Sequence, residues 1–114
     1  MAFFEELTSR FYDRVAADEV LRPMYPEDLE EPKRRLCLFL AQFWGGPRLY
    51  DEWRGSPQLR ARHARFPIGT READVWLRHM TAAVKEAQVG VLEEAQLLSY
   101  FEAAASHLVN KESV

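Results

Sequence analysis

The sequence predicts a single all-α domain over residues 1–114. Three observations predict it. Four long stretches repeat apolar residues at the helical period. No stretch alternates like a strand. The breaks between stretches carry the glycines and prolines that end or open helices. The composition, 47% hydrophobic and 29% charged, is that of a folded chain rather than a disordered one.

The first helix is expected over residues 2–17. Phe4, Leu7, Phe11 and Val15 share one face, with Glu5, Arg10, Asp13 and Arg14 between them. A turn follows at residues 18–23, and Pro23, Pro26 and Pro32 hold the segment to Glu31 mostly out of long helix. The second helix opens near Pro32, a residue suited to the first helical position. Leu36, Phe39, Leu40, Phe43 and Trp44 form its apolar face, and Gly45-Gly46-Pro47 ends it with a left-handed cap. Gly55-Ser56-Pro57 reads as turn, N-cap and first residue of a short helix reaching about Arg65. Phe66-Pro67-Ile68-Gly69 is a loop. Thr70 caps the third long helix, with Ala73, Trp76, Leu77, Met80, Ala83, Val84 and Ala87 inward, and Gly90 breaks it. The fourth runs from Val91 to Val109 with Ala95, Leu98, Phe101, Ala105, Leu108 and Val109 in period.

Composition excludes several function classes. No apolar run is long enough to span a membrane. The net charge of −3 gives no general attraction to nucleic acid or anionic lipid. The acidic start, Met1 to Glu6, differs from the basic start of a secretory signal. One cysteine, Cys37, rules out an intramolecular disulfide and a multi-cysteine metal cage, and reads as a small core residue. The expected compartment is the cytoplasm. There is no nucleophile elbow, dinucleotide fingerprint or phosphate loop.

Charge placement is more informative than its sum. Arg54, Arg60, Arg62, Arg65 and Arg71 bound a stretch with no Asp or Glu, and His63 lies within it. A solvated arginine face is one reading. The other joins the histidine to the arginines. Haem iron is held by its porphyrin and needs one axial imidazole from the protein, while its propionates need cations. Tyr12, Tyr25 and Trp76 bear polar tips on or beside apolar surface. Singly they read as core aromatics; clustered, they could donate hydrogen bonds to a buried ligand gaining negative charge. His79 and His107 have no partner at metal-ligand spacing.

The chain resembles the group II (O-type) truncated haemoglobins. The residues that carry the resemblance are Arg34-Arg35-Leu36, Phe39-Leu40, Gln42, Trp44-Gly45-Gly46-Pro47, Tyr50, Arg54-Gly55, Pro57, Leu59-Arg60, Arg62-His63, Phe66 and Ile68. Arg10-Phe11-Tyr12, Asp18 to Arg22 and Tyr25 to Asp28 carry it upstream; Asp74, Trp76-Leu77 and Met80 carry it downstream. The resemblance implies a two-over-two helical sandwich around haem b. His63 matches the proximal iron ligand of a five-coordinate centre. Tyr12, Tyr25 and Trp76 match the distal polar aromatics. Leu36 matches a distal apolar position, and Phe39, Phe66, Ile68 and Met80 match haem-lining positions. Arg35 and Arg62 are candidates for propionate pairing. The implied ligands are O₂, and with it NO or CO; a reductase and a homodimer stay open as partners.

Three features depart from the family's pattern. The lead before Tyr12 is short. Pro32 stands where a small residue is usual and can donate no hydrogen bond to a ligand. Phe43 and Ser56 stand where Tyr and His are common. Three functions compete at this stage: an O₂-binding haem protein, a haem enzyme acting as peroxidase or NO dioxygenase, and a haemless helical interaction module.

Overall fold

The computed structural model describes residues 2–45, 50 and 68–109. The described residues form four long helices, α1 (Ala2–Ala16), α2 (Glu30–Phe43), α3 (Thr70–Glu86) and α4 (Val91–Leu108), with a 3₁₀ turn at Arg22–Met24 and no strand. The expected short helix from Pro57 to Arg65 lies outside them. Helix α1 packs on α2, α3 packs on α4, and α1 also packs on α3. Two helix pairs joined through α1 and α3 make the two-layer arrangement that the apolar faces call for.

Helix α1 supplies the centre of the core. Leu7, Phe11 and Val15 are fully buried, meeting Leu40 of α2, Met80, Ala83 and Val84 of α3, and Phe101 of α4 in one cluster. Each large side chain sealed this way contributes about 1.5–3 kcal/mol. Thr8 is buried beside them because its hydroxyl donates back to the Phe4 carbonyl at 2.7 Å, so no polar atom is left open. Tyr50 joins through an edge contact with Phe39, ring centres 5.7 Å apart. A smaller cluster of Ile68, Ala73 and Ala105 ties the start of α3 to the end of α4.

The helix ends show local differences from expectation. Helix α2 opens at Glu30, so Pro32 falls within its first turn, where a missing N–H costs nothing. Asp28 Oδ1 accepts the Glu30 amide at 2.9 Å. Gly45, just beyond α2, is in the left-handed region at φ +91°, as a terminating glycine requires. Helix α3 is capped by Gly69, not Thr70; the Gly69 amide donates to Glu72 Oε1 at 3.1 Å. Gln88, not Gly90, takes the left-handed conformation after α3, at φ 54°. Gly90 instead caps α4.

The apolar face of α4 is also rotated from expectation. Leu97, Phe101 and Ala105 are buried, whereas Ala95 is exposed and Leu98 half-buried. Val75 of α3 is buried as well. Phe43 is 54% exposed rather than buried, leaning on Tyr100 and Trp44 at the surface. Where apolar residues adjoin, as at Leu97–Leu98 and Val75–Trp76, more than one face satisfies the period and the neighbouring helix selects one.

Candidate functional site

The three aromatics singled out in sequence converge. Tyr12 projects from α1, Trp76 from α3, and Tyr25 follows the 3₁₀ turn between α1 and α2. The Tyr12 and Tyr25 rings meet edge-on with centres 5.5 Å apart. Phe11 separates Tyr12 from Trp76, at 5.1 Å from one and 5.5 Å from the other. The Trp76 indole N–H donates to the Tyr25 hydroxyl, since indole can only donate. Tyr12 and Tyr25 share a second hydrogen bond.

Burial sets the protonation of this group. It holds the Tyr12 hydroxyl well above the ordinary phenol range, and the neighbouring Tyr25 adds to that while the charge of Arg35 opposes it. Burial pushes Tyr25 up to about 12, against the hydrogen bonds from Trp76 and Tyr12. Both hydroxyls therefore keep their protons near neutral pH and act as hydrogen-bond donors.

Local structure explains how Tyr25 reaches this position. Asp18 Oδ1 accepts the amides of Val20 and Leu21 at 2.8 and 2.9 Å, which folds the chain back after α1. The Arg22 guanidinium donates to the carbonyls of Pro26 and Glu27 at 2.9 and 2.7 Å. These two clamps hold the segment that carries Tyr25. Asp18 also reaches α3, where Oδ2 lies 2.7 Å from His79 Nε2.

The remaining candidates divide. Phe39 and Met80 are buried in the main core and Leu36 packs half-buried against it. Ile68 lies in the second cluster, against which Trp76 also packs. Arg35 is half-buried on α2, with Nη1 3.9 Å from Glu31 Oε1. Arg62, His63 and Phe66 lie outside the described residues. Among those described, no group of His, Cys, Asp or Glu is arranged to hold a metal ion. Among the described residues, no helix is long and apolar enough to cross a membrane. Cys37 is buried at 6% exposure, and burial pushes its thiol up, as a core residue requires.

Sequence reasoning missed the Asp18–His79 pair and the contacts of Arg10 and Arg14 with Glu86, which tie α1 to α3. An Asp whose side chain faces amides two and three residues on is a readable signal. The link from Asp18 to His79 across 61 residues is not.

Comparison with known proteins places this arrangement. Residues 1–110 match the bacterial-like globin family. The chain is 44% identical over 108 residues to the Group 2 truncated hemoglobin of Bacillus subtilis, covering 93% of this chain and 80% of that protein. A thermostable hemoglobin from Thermobifida fusca superposes with a TM-score of 0.94 at 52% identity, covering 96% of this chain and 89% of that one. The structure described as the truncated oxygen-avid haemoglobin of Bacillus subtilis superposes with a TM-score of 0.88 at 42% identity, covering 94% and 91%. Globin membership implies a haem cofactor and haem-based ligand binding. The chain belongs to the bacterial-like globin family, among its group II truncated haemoglobins.

Proposed function

We propose that this chain binds O₂ reversibly at a five-coordinate haem b, with His63 as the axial ligand and Tyr12, Tyr25 and Trp76 as the distal hydrogen-bonding group. The observation that carries the reading is the convergence of these three proton-bearing side chains from α1, α3 and the intervening loop. The donor set fits the cofactor. Haem supplies reversible binding of a diatomic ligand and places negative charge on it; buried donors that keep their protons stabilise that charge. Phe39, Met80, Leu36 and Ile68, with Phe66, would supply the apolar lining, and Arg35 and Arg62 the cations facing the propionates. His63 would bind through one ring nitrogen, oriented by a hydrogen bond from the other to a backbone carbonyl one turn back. Pro32 adds no donor at the distal helix start, so ligand retention falls to the aromatic group.

The chain's likeness to a haemoglobin described as oxygen-avid supports the same direction. The absorption spectrum of the reduced protein, with and without CO, tests the reading. A Soret band that shifts on CO addition is expected, together with weak haem retention in His63→Gly. Unchanged haem retention in that variant would overturn the axial assignment, and protein that stays colourless when supplied with haem would overturn the whole reading.

A further inference from the structure

Between α1 and α2 the chain has one turn of regular structure, Arg22–Met24. Helix α3 grips this segment at two places. His79 Nε2 lies 2.7 Å from Asp18 Oδ2 at its start, and the Trp76 indole meets the Tyr25 hydroxyl further on. Trp76 and His79 stand three residues apart on α3 and so share one face. A continuous run of hydrogen bonds joins the two gripped residues of the loop. Asp18 Oδ1 accepts the Val20 and Leu21 amides. The Asp18 carbonyl accepts the Arg22 amide at 3.0 Å, that of Leu21 accepts the Met24 amide at 2.9 Å, and that of Arg22 accepts the Tyr25 amide at 3.2 Å. A shift of Asp18 is therefore passed on to Tyr25 rather than absorbed by slack backbone.

Packing does not account for an imidazole at this place. His79 Nδ1 is buried and has no partner among the described residues. A buried polar atom left unpaired is destabilising, and an apolar side chain would avoid it. What imidazole adds is Nε2. The Asp18 carboxyl is held below the usual aspartate range, so it is a carboxylate at neutral pH and can only accept; Nε2–H donates. Nor is His79 needed to form the turn, since Asp18 caps it through its other oxygen. Leu21, buried in the core, sets how deep the segment sits, but apolar contact has no preferred direction. The Asp18–His79 hydrogen bond is directional, and it fixes how the segment is turned against α3.

We propose that His79 is a positioning residue for ligand retention: through Asp18 it sets how the Tyr25 hydroxyl meets the Trp76 indole, and so how firmly the distal group holds a diatomic ligand. Hydrogen bonds weaken steeply when misaligned, so a small turn of the segment is enough to change the grip. His79 acts through Tyr25 and is assigned no contact with ligand. The effect on ligand rests on the haem-binding reading; the placing of Tyr25 against Trp76 does not.

Two measurements test it. The first follows the Trp76 indole N–H by NMR in the full-length chain, reduced and under CO so that any haem iron is diamagnetic; Trp76→Phe identifies the resonance. His79→Leu should move that resonance toward its position in Tyr25→Phe and speed its exchange with deuterated water at least about threefold. His79→Met serves in its place if His79→Leu does not fold. His79→Gln, whose amide N–H can stand in for Nε2–H, should restore most of both readings. A resonance unmoved in the folded apolar variant overturns the proposal, and so does a His79→Gln chain that behaves like the apolar one, which would leave packing as the cause. The second measures the O₂ off-rate of haem-loaded protein by displacement with CO. The apolar variant should raise it about twofold to thirtyfold and should change it no further in a Tyr25→Phe background. An equal effect in both backgrounds overturns action through Tyr25. A chain that takes up no haem defeats the haem-binding reading, while the first measurement still decides whether His79 places Tyr25.

Discussion

Asp18 and His79 join the loop after α1 to the middle of α3, Oδ2 to Nε2, at 2.7 Å. The same carboxylate holds the amides of Val20 and Leu21 through its other oxygen. One side chain therefore shapes the turn that leads to Tyr25 and fastens that turn to the helix that carries Trp76. His79 Nδ1, on the other side of the ring, is buried without a partner among the described residues. The pair is mostly shielded, at 18% exposure for Asp18 and 16% for His79.

Asp18 gives the protein a defined acid sensitivity. Its hydrogen bond with His79, then those from the Leu21 and Val20 amides, hold its carboxyl below the usual aspartate range. A carboxyl lowered in the folded state stabilises above its unfolded value of about 3.9, and that contribution is lost as pH falls through the folded value. Asp18→Asn should lower the melting temperature at neutral pH, and the gap from the unaltered chain should close below about pH 4. Melting curves by circular dichroism across that range check this. A gap that persists unchanged at low pH would mean the carboxylate's charge is not what matters.

Tyr25 is the acceptor of the Trp76 N–H and the partner of Tyr12, so its removal has two effects. On the proposed reading, Tyr25→Phe takes away a donor to bound ligand and leaves the Trp76 N–H without its acceptor. With a loss of about 1–3 kcal/mol, the O₂ off-rate should rise roughly fivefold to 150-fold. Stopped-flow displacement of O₂ by CO reads this directly. Tyr12→Phe leaves the Trp76–Tyr25 bond in place and should cost less.

The two left-handed residues after helices predict opposite signs. Gly45→Ala places a Cβ at φ +91°; nothing lies within 4 Å, so the cost is backbone strain alone, about 1–2 kcal/mol. Gln88→Gly relieves the same strain at φ 54°, offset by the entropy of glycine in the unfolded chain, for a net gain below about 1 kcal/mol. Urea titrations of both variants check the pair.

Cys37 should resist chemistry in the folded protein. It is buried and its thiol is pushed up by that burial, then by the charge of Glu5. Labelling by a disulfide reagent near pH 8 should be at least about tenfold slower in the native protein than in denaturant. Equal rates in both would place the thiol at the surface.

The existence of the four long helices and the inward residues of α1 were legible from the sequence because a 3.6-residue apolar repeat has one dominant solution when polar residues fill the other positions. The terminator at Gly45 was legible for a similar reason, since a left-handed backbone and a glycine select each other. Family resemblance then named Tyr12, Tyr25 and Trp76 as one group. Their meeting was for the structure to decide, because they come from three separate segments and no local rule sets the distance between them.

The same limit explains what the sequence left open. Helix α4 carries apolar residues on several sides, so only its packing on α3 decided that Leu97, not Ala95, faces inward. The Asp18–His79 bond joins residues far apart in the chain. Local periodicity and capping depend on neighbours within a few residues, and the sequence determined those. Contacts between layers depend on how whole helices rotate and slide to fill the core, and the tertiary structure alone decided them.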